Sequence, residues 1–261
     1  MAPTAPNEDE SLWLRCFEPA PEAPARLLCL PHAGGSAGTY LRLARSLAPE
    51  TEVLAVQYPG RQDRRSEPCA ESVEALADAL FTAVRDRVDA STALFGHSMG
   101  AVLAFELARR LERDAGVRCV RLFASGRRAP SAFRDDSAPA ASDAAMLAEL
   151  RSLGGTDLRI LQDEELLTAA LPALRADYRA IGRYRAAEDA TVDCPITVLV
   201  GDADPRTSPD EARAWARHST APCEVLTFPG GHFFLDGNHD AVVDVVTARL
   251  RADRAACADL V

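Results

Sequence analysis

Gly96-His97-Ser98-Met99-Gly100 is the segment of this 261-residue chain whose residue types point most directly to chemistry. It follows an apolar run ending at Phe95 and precedes an amphipathic run opening near Ala101. Strand, tight turn and helix in that order would project the serine hydroxyl at the carboxyl edge of a sheet. The two glycines let strand and helix approach closely around a strained turn. The backbone N–H of Met99, at the helix start, then points toward a developing oxyanion. A serine at its ordinary pKa is a poor nucleophile, so it needs a base, and the base needs a carboxylate to hold its tautomer. There are five histidines: His32, His97, His218, His232 and His239. His97 adjoins the serine on a strained turn and is badly aimed to serve it. His218 ends one predicted surface helix and His239 opens another, where solvated roles are expected.

The elements that must hold these residues alternate along the chain. Strands are predicted at Arg26 to Leu30, Glu52 to Gln57, Thr92 to Phe95, Val117 to Ala124, Ile196 to Val200 and Glu224 to Phe228. Helices are predicted at Tyr40 to Leu47, Ser72 to Val88, Ala101 to Arg113, Pro209 to His218 and His239 to Arg251. Most of the strands are nearly continuous apolar runs, as strands covered on both faces should be, so the expectation is a mainly parallel sheet flanked by helices. Ligands in such sheets bind beyond the carboxyl ends of the strands. Between about Pro130 and Asp193 the alternation stops, leaving a polar loop and helical patterns at Asp143 to Leu153 and Glu164 to Arg185. A typical crossover is far shorter, so this stretch is read as a helical lid inserted over that edge. Residues 1–10 read as a disordered tail, and residues 11–261 as a single domain that includes the lid at about 130–193.

The strand, elbow and helix resemble those of the α/β-hydrolases, in which the base follows both the serine and the acid in chain order. His32 precedes the serine. His232, in Pro229-Gly230-Gly231-His232-Phe233-Phe234 after the last apolar strand, is in the required place. Two acids follow the Ile196 strand in Gly201-Asp202-Ala203-Asp204-Pro205. Asp202 abuts the strand and is placed to cap the turn, whereas Asp204 lies further out, with Pro205 biasing it toward extended backbone. The expected triad is therefore Ser98, His232 and Asp204. Leu30-Pro31-His32-Ala33-Gly34-Gly35-Ser36 resembles the glycine-rich oxyanion loop of esterases. Ala33 N–H is accordingly the second candidate donor beside Met99 N–H, and His32 orients the loop.

More of the chain is similar to the type II, or editing, thioesterases that accompany polyketide and non-ribosomal peptide synthases. Beyond the elbow and the loop from Leu30, the matching pieces are Tyr58-Pro59-Gly60-Arg61, Leu171-Pro172-Ala173-Leu174-Arg175-Ala176-Asp177, Gly201-Asp202-Ala203-Asp204 and Gly231-His232-Phe233. They span nearly all of residues 26–250. The chain departs from the pattern at Gly182, near which the family often has an acidic residue before the tyrosine matched here by Tyr184. The resemblance implies a thioester hydrolase that removes acyl groups from the phosphopantetheine arm of an acyl or peptidyl carrier protein. It also implies a mobile lid beside a substrate chamber, with no metal and no cofactor of the enzyme's own. Because such carriers are acidic and this chain carries a net charge of −10, docking would depend on local arginines, for which Arg61, Arg64, Arg65, Arg127 and Arg128 are the candidates. A carboxyl esterase or an acyltransferase could use the same triad, and a non-catalytic binding module could occupy the same scaffold. Malonyl-type transferases share a Gly-His-Ser elbow but lack this late Asp/His pairing.

Composition narrows the rest. With 29 basic and 39 acidic residues, the chain repels polyanions, so nucleic acid is not an expected partner. All the basic residues are arginine. No apolar stretch approaches the ~20 residues of a membrane span and MAPTAPNEDE lacks a secretory signal, so a soluble cytoplasmic protein without membrane association is expected. The seven cysteines include no C-x-x-C pair, which argues against a zinc site or a disulfide framework. Cys29 and Cys119 lie in apolar runs and are expected to fill the core.

Overall fold

A computed structural model describes residues 12–154 and 164–258. The tail expected at residues 1–10 lies outside them. In chain order the elements are β1 (Leu14–Cys16), β2 (Ala25–Leu30), α1 (Leu41–Leu47), β3 (Thr51–Val56), α2 (Val73–Val84), β4 (Thr92–His97), α3 (Met99–Arg110), β5 (Leu122–Ser125), α4 (Asp143–Leu153), α5 (Glu164–Arg183), β6 (Ile196–Gly201), α6 (Pro209–Arg213), β7 (Cys223–Phe228), α7 (Phe234–Gly237) and α8 (His239–Ala258). The strands form one sheet in the order β1-β3-β2-β4-β5-β6-β7. β1 runs antiparallel to β3, and every other pairing is parallel.

The central strands β4, β5 and β6 are buried along their whole length, which is why they appear in the sequence as unbroken apolar runs. One apolar layer, containing Leu28, Leu94, Phe105 and Trp215, covers one face of the sheet. A second, containing Tyr40, Phe95, Phe123 and Val246, covers the other. Helix α3 lies within the first layer with all but Arg109 of its residues buried, the charged Glu106 and Arg110 included. Its one acid, Glu106, accepts hydrogen bonds from Arg109, Arg110 and the Tyr184 hydroxyl.

Several element assignments differ from the sequence reading; α7 was not predicted, and the helix expected over His239 to Arg251 continues to Ala258. The run Val117 to Ala124 joins the sheet only in its second half: Val120 N–H donates to the Thr92 carbonyl at 2.9 Å, β5 itself starts at Leu122, and of Val117 to Val120 only Cys119 is buried. β1 went unread because three residues are too few to show alternation. The helix predicted over Ser72 to Val88 ends at Val84. The one predicted over Pro209 to His218 is α6 followed by a tighter turn over Ala214–His218. His218 is buried rather than solvated, bonded to Ser131 Oγ and the Ala190 carbonyl.

Between β5 and β6 the described residues hold two long helices. α4 starts at Ser142, whose hydroxyl accepts from Ala145 N–H as an N-cap. Met146 and Leu150 of α4 pack on Leu174 and Tyr178 of α5, forming a small apolar core of their own above the sheet. Gly182 packs so closely on Ser137 that a Cβ would stand 2.4 Å from the Ser137 nitrogen, so no side chain fits at position 182 unless Ser137 shifts.

Sheet and helix approach closely at Gly100, where a Cβ would stand 2.0 Å from the Leu30 carbonyl oxygen. Both groups are backbone and neither can rotate away. Gly100→Ala is therefore expected to destabilise the fold by about 1–3 kcal/mol through overpacking. The check is a lower urea midpoint with an unchanged slope.

Candidate active site

Ser98 follows the last residue of β4 and precedes the first of α3, with φ +55° and ψ −115°. An L-residue holds such a backbone only where its surroundings enforce it. Here the Ser98 N–H donates to the Ser125 carbonyl at 2.8 Å, tying the turn to β5. The serine Oγ lies 3.0 Å from His232 Nε2, 134 residues away in sequence. His232 Nδ1 in turn lies 3.1 and 3.0 Å from the two Asp204 oxygens. His232 and Asp204 are both buried, so this carboxylate meets the imidazole with little competition from water.

The loops that deliver these two residues are fastened to each other. Ala203 N–H donates to the Gly230 carbonyl, and Gly230 N–H donates to Asp202 Oδ1. Asp202 thus caps the turn and leaves Asp204 to face the histidine. Asp204 is also held by the backbone N–H of Arg206, which donates to its Oδ1 at 2.8 Å.

The other two histidines near the serine have different work. His97 is buried, and its Nδ1 pairs with Ser125 Oγ at 2.9 Å. Burial holds its pKa well below the ordinary histidine value, with His232 and His32 adding to the effect. His32 is pushed down to about 4, mainly by burial. Both therefore remain neutral at physiological pH. Their rings pack with His232 around Phe233, with centroid separations of 5.0 to 5.4 Å to the phenyl ring. Ala33 and Met99 both border the space beside Ser98. Among the described residues neither of their N–H groups has a hydrogen-bond partner, so both are available to an oxyanion.

The serine opens into a cavity of about 330 Å³, roofed by Leu150 and Leu153 of α4 and by Leu174 and Tyr178 of α5. A recess of about 30 Å³ continues past Ser98 to Arg127, Arg206 and Tyr178. A larger cavity of about 580 Å³ lies at the amino-terminal edge of the sheet, near Val88, Val117 and Ala221. It holds none of the triad groups, so the chemistry places the site under the lid helices.

Four of the five arginines proposed for docking are corrected by their burial. Arg61, Arg64, Arg127 and Arg128 are 7, 4, 8 and 2% exposed. Arg61 pairs with Asp177, and Arg64 with Glu67 while its guanidinium lies 4.3 Å over the Trp13 ring. Arg127 and Arg128 share Asp136. Burial also pushes Arg127 down to about 10, which still leaves it charged at neutral pH. Only Arg65 is exposed. Arg206, which no sequence pattern singles out, joins Asp136 to Glu149 of α4 beside the triad.

A parallel sheet that presents serine, carboxylate and histidine in this chain order from its carboxyl edge is the α/β-hydrolase fold, and its site has the form of a serine hydrolase. A family model for the thioesterase domain matches residues 25–250. Thioesterase PikA5 of Streptomyces venezuelae is 47% identical over 251 residues, covering 96% of this chain and 89% of that protein. The gramicidin S biosynthesis protein GrsT of Aneurinibacillus migulanus is 34% identical, covering 88% and 90%. Among solved structures, the type II thioesterase BorB from the borrelidin biosynthetic cluster superposes with a TM-score of 0.86 at 48% identity, covering 95% of this chain and all of that one. The chain belongs to the thioesterase family and is a thioester hydrolase.

Two substitutions test the triad. Ser98→Ala is expected to lower kcat by on the order of 10⁶ and to abolish labelling by a fluorophosphonate probe. Asp204→Asn preserves shape but reverses the hydrogen-bond requirement on His232 Nδ1, and should lower kcat by about 10⁴ while labelling slows but persists. Steady-state kinetics and a labelling time course check both.

Proposed function

We propose that this chain hydrolyses acyl thioesters carried on the phosphopantetheine arm of an acyl or peptidyl carrier protein, clearing aberrant or stalled acyl units during polyketide or non-ribosomal peptide biosynthesis. Support comes from the relatives of known structure, two of which are described as belonging to the colibactin and yersiniabactin NRPS/PKS pathways. The observation that carries the reading is the aligned Ser98–His232–Asp204 relay opening into a lidded apolar cavity. An acyl chain can lie in this cavity while the thioester carbonyl sits at the serine.

In this mechanism Ser98 Oγ attacks the thioester carbonyl as His232 Nε2 takes the hydroxyl proton. The tetrahedral oxyanion is met by the N–H groups of Ala33 and Met99, the latter at the positive end of α3. The carbon–sulfur bond breaks, and His232 returns the proton to the departing thiolate sulfur. Water then attacks the acyl-serine ester, giving its proton to His232. The released acid leaves Ser98 reprotonated. Asp204 holds the imidazole tautomer and stabilises the imidazolium without taking its proton. These steps use only side chains and backbone N–H groups, so the proposal includes no cofactor or metal, and the pantetheine arrives with the partner.

A panel of short and long acyl groups tests the reading, each presented on a carrier protein and on a small thiol. Carrier-borne thioesters are expected to show kcat/KM higher by at least about tenfold, equivalent to ~1.4 kcal/mol of added recognition. Equal turnover of both would remove carrier docking from the mechanism. Acyl transfer to another acceptor, in place of free acid, would make the protein an acyltransferase.

A further inference from the structure

The segment from Pro31 to Gly35 carries the Ala33 N–H and is held at points on both sides of that residue. Below it, the Tyr58 hydroxyl donates to the Pro31 carbonyl at 3.2 Å. Gly35 N–H donates to the His32 carbonyl at 2.9 Å, closing a turn that places Gly34 at φ +74°. Above it, Gly34 N–H donates to Asp177 Oδ2 at 2.8 Å. Asp177 belongs to α5, and three residues earlier in the same helix Leu174 presses on Gly34, where a Cβ would stand 2.4 Å from Leu174 Cδ2. Residues three apart share a helix face, so one turn of α5 grips a single glycine by a hydrogen bond and by packing.

Asp177 is buried and pairs with the equally buried Arg61. Burial pushes its carboxyl pKa up, while the Arg61 guanidinium and the Gly34 N–H act in the opposite direction and favour the ionised form. The two sequence pieces Tyr58-Pro59-Gly60-Arg61 and Leu174-Arg175-Ala176-Asp177 therefore meet on the oxyanion loop. Tyr58 supports it from one side, and Asp177, backed by Arg61, from the other. Because Gly34 N–H is already engaged, it cannot serve the oxyanion, which leaves the neighbouring Ala33 N–H free to do so.

We infer that Asp177 is a positioning residue for the oxyanion hole: from the lid helix α5 it fixes the Ala33–Gly34 peptide, and with it the direction of the Ala33 N–H beside Ser98. The inference rests on the reading of Ser98 as nucleophile and is independent of which acyl carrier is used.

An alkylboronic acid provides the probe. Ser98 Oγ bonds to boron, its proton passes to His232, and the resulting tetrahedral boronate carries the negative charge into the oxyanion hole. Boronate affinity is measured for the wild type, Asp177→Asn and Asp177→Ala, together with kcat and KM on a small acyl thioester. Loss of one oxyanion donor costs about 10²–10³ in kcat, so misdirection of a donor by Asp177→Ala should cost about 10–100-fold. Boronate affinity should fall by a similar factor, with KM changed by less than about threefold. Asp177→Asn keeps an oxygen for Gly34 but loses the charge, and its loss should be smaller and in the same proportion. It also preserves volume, so it decides the matter if the alanine variant does not fold. Unchanged boronate affinity in a folded variant, whether or not kcat falls, would overturn the inference. A wild-type protein that binds no boronate would instead sink the reading of Ser98 as nucleophile.

Discussion

Ser98 sits in a backbone conformation that costs an L-residue about 1–3 kcal/mol, and the rest of the site depends on that strain being held. Close contact between α3 and β2 at Gly100 supplies part of the constraint, and the hydrogen bond from Ser98 N–H to β5 another. Together they aim the hydroxyl away from the sheet, toward the loop after β7. If the elbow relaxed, the 3.0 Å approach to His232 would be lost. The loops after β6 and β7 are joined backbone to backbone, so acid and base reach the serine as one unit.

The charged residues nearest the site are used inward. Asp136 gathers Arg127, Arg128 and Arg206, and Asp177 gathers Arg61. Removing one partner from such a buried pair strands an uncompensated charge, which is far more disruptive than losing an exposed ion pair. The lid helices are thus attached to the body of the molecule by apolar packing and also by charges buried on both sides of the junction.

Local patterns in the sequence carried much of this. The elbow was legible because its glycines and flanking apolar runs are contiguous, and the helix over Asp143–Leu153 matched its capped pattern residue for residue. Asp204 could be separated from Asp202 because backbone preference and distance from the strand end are local properties. The arginines were misread because a charged side chain looks solvated in the sequence whether or not the fold closes over it. Arg61 meets Asp177 across 116 residues, while Arg64, Arg127 and Arg128 pair with acids within nine residues and are buried by packing that no local pattern records. Arg206, whose partner Asp136 lies 70 residues away, had no local sign at all. Val117 to Val120 looked like strand because its two valines and one cysteine read as an apolar run, although only Cys119 among them is buried.

Arg206 gives the carboxylate loop a second attachment. Its N–H steadies Asp204 while its guanidinium spans Asp136 and Glu149. A displacement of α4 large enough to break the Glu149 contact would pull on the same residue that steadies the acid, and would wet Leu150 and Leu153, at roughly 1.5–3 kcal/mol for each leucine fully exposed. Any opening of α4 is therefore coupled, through Arg206, to the seating of the carboxylate that faces His232.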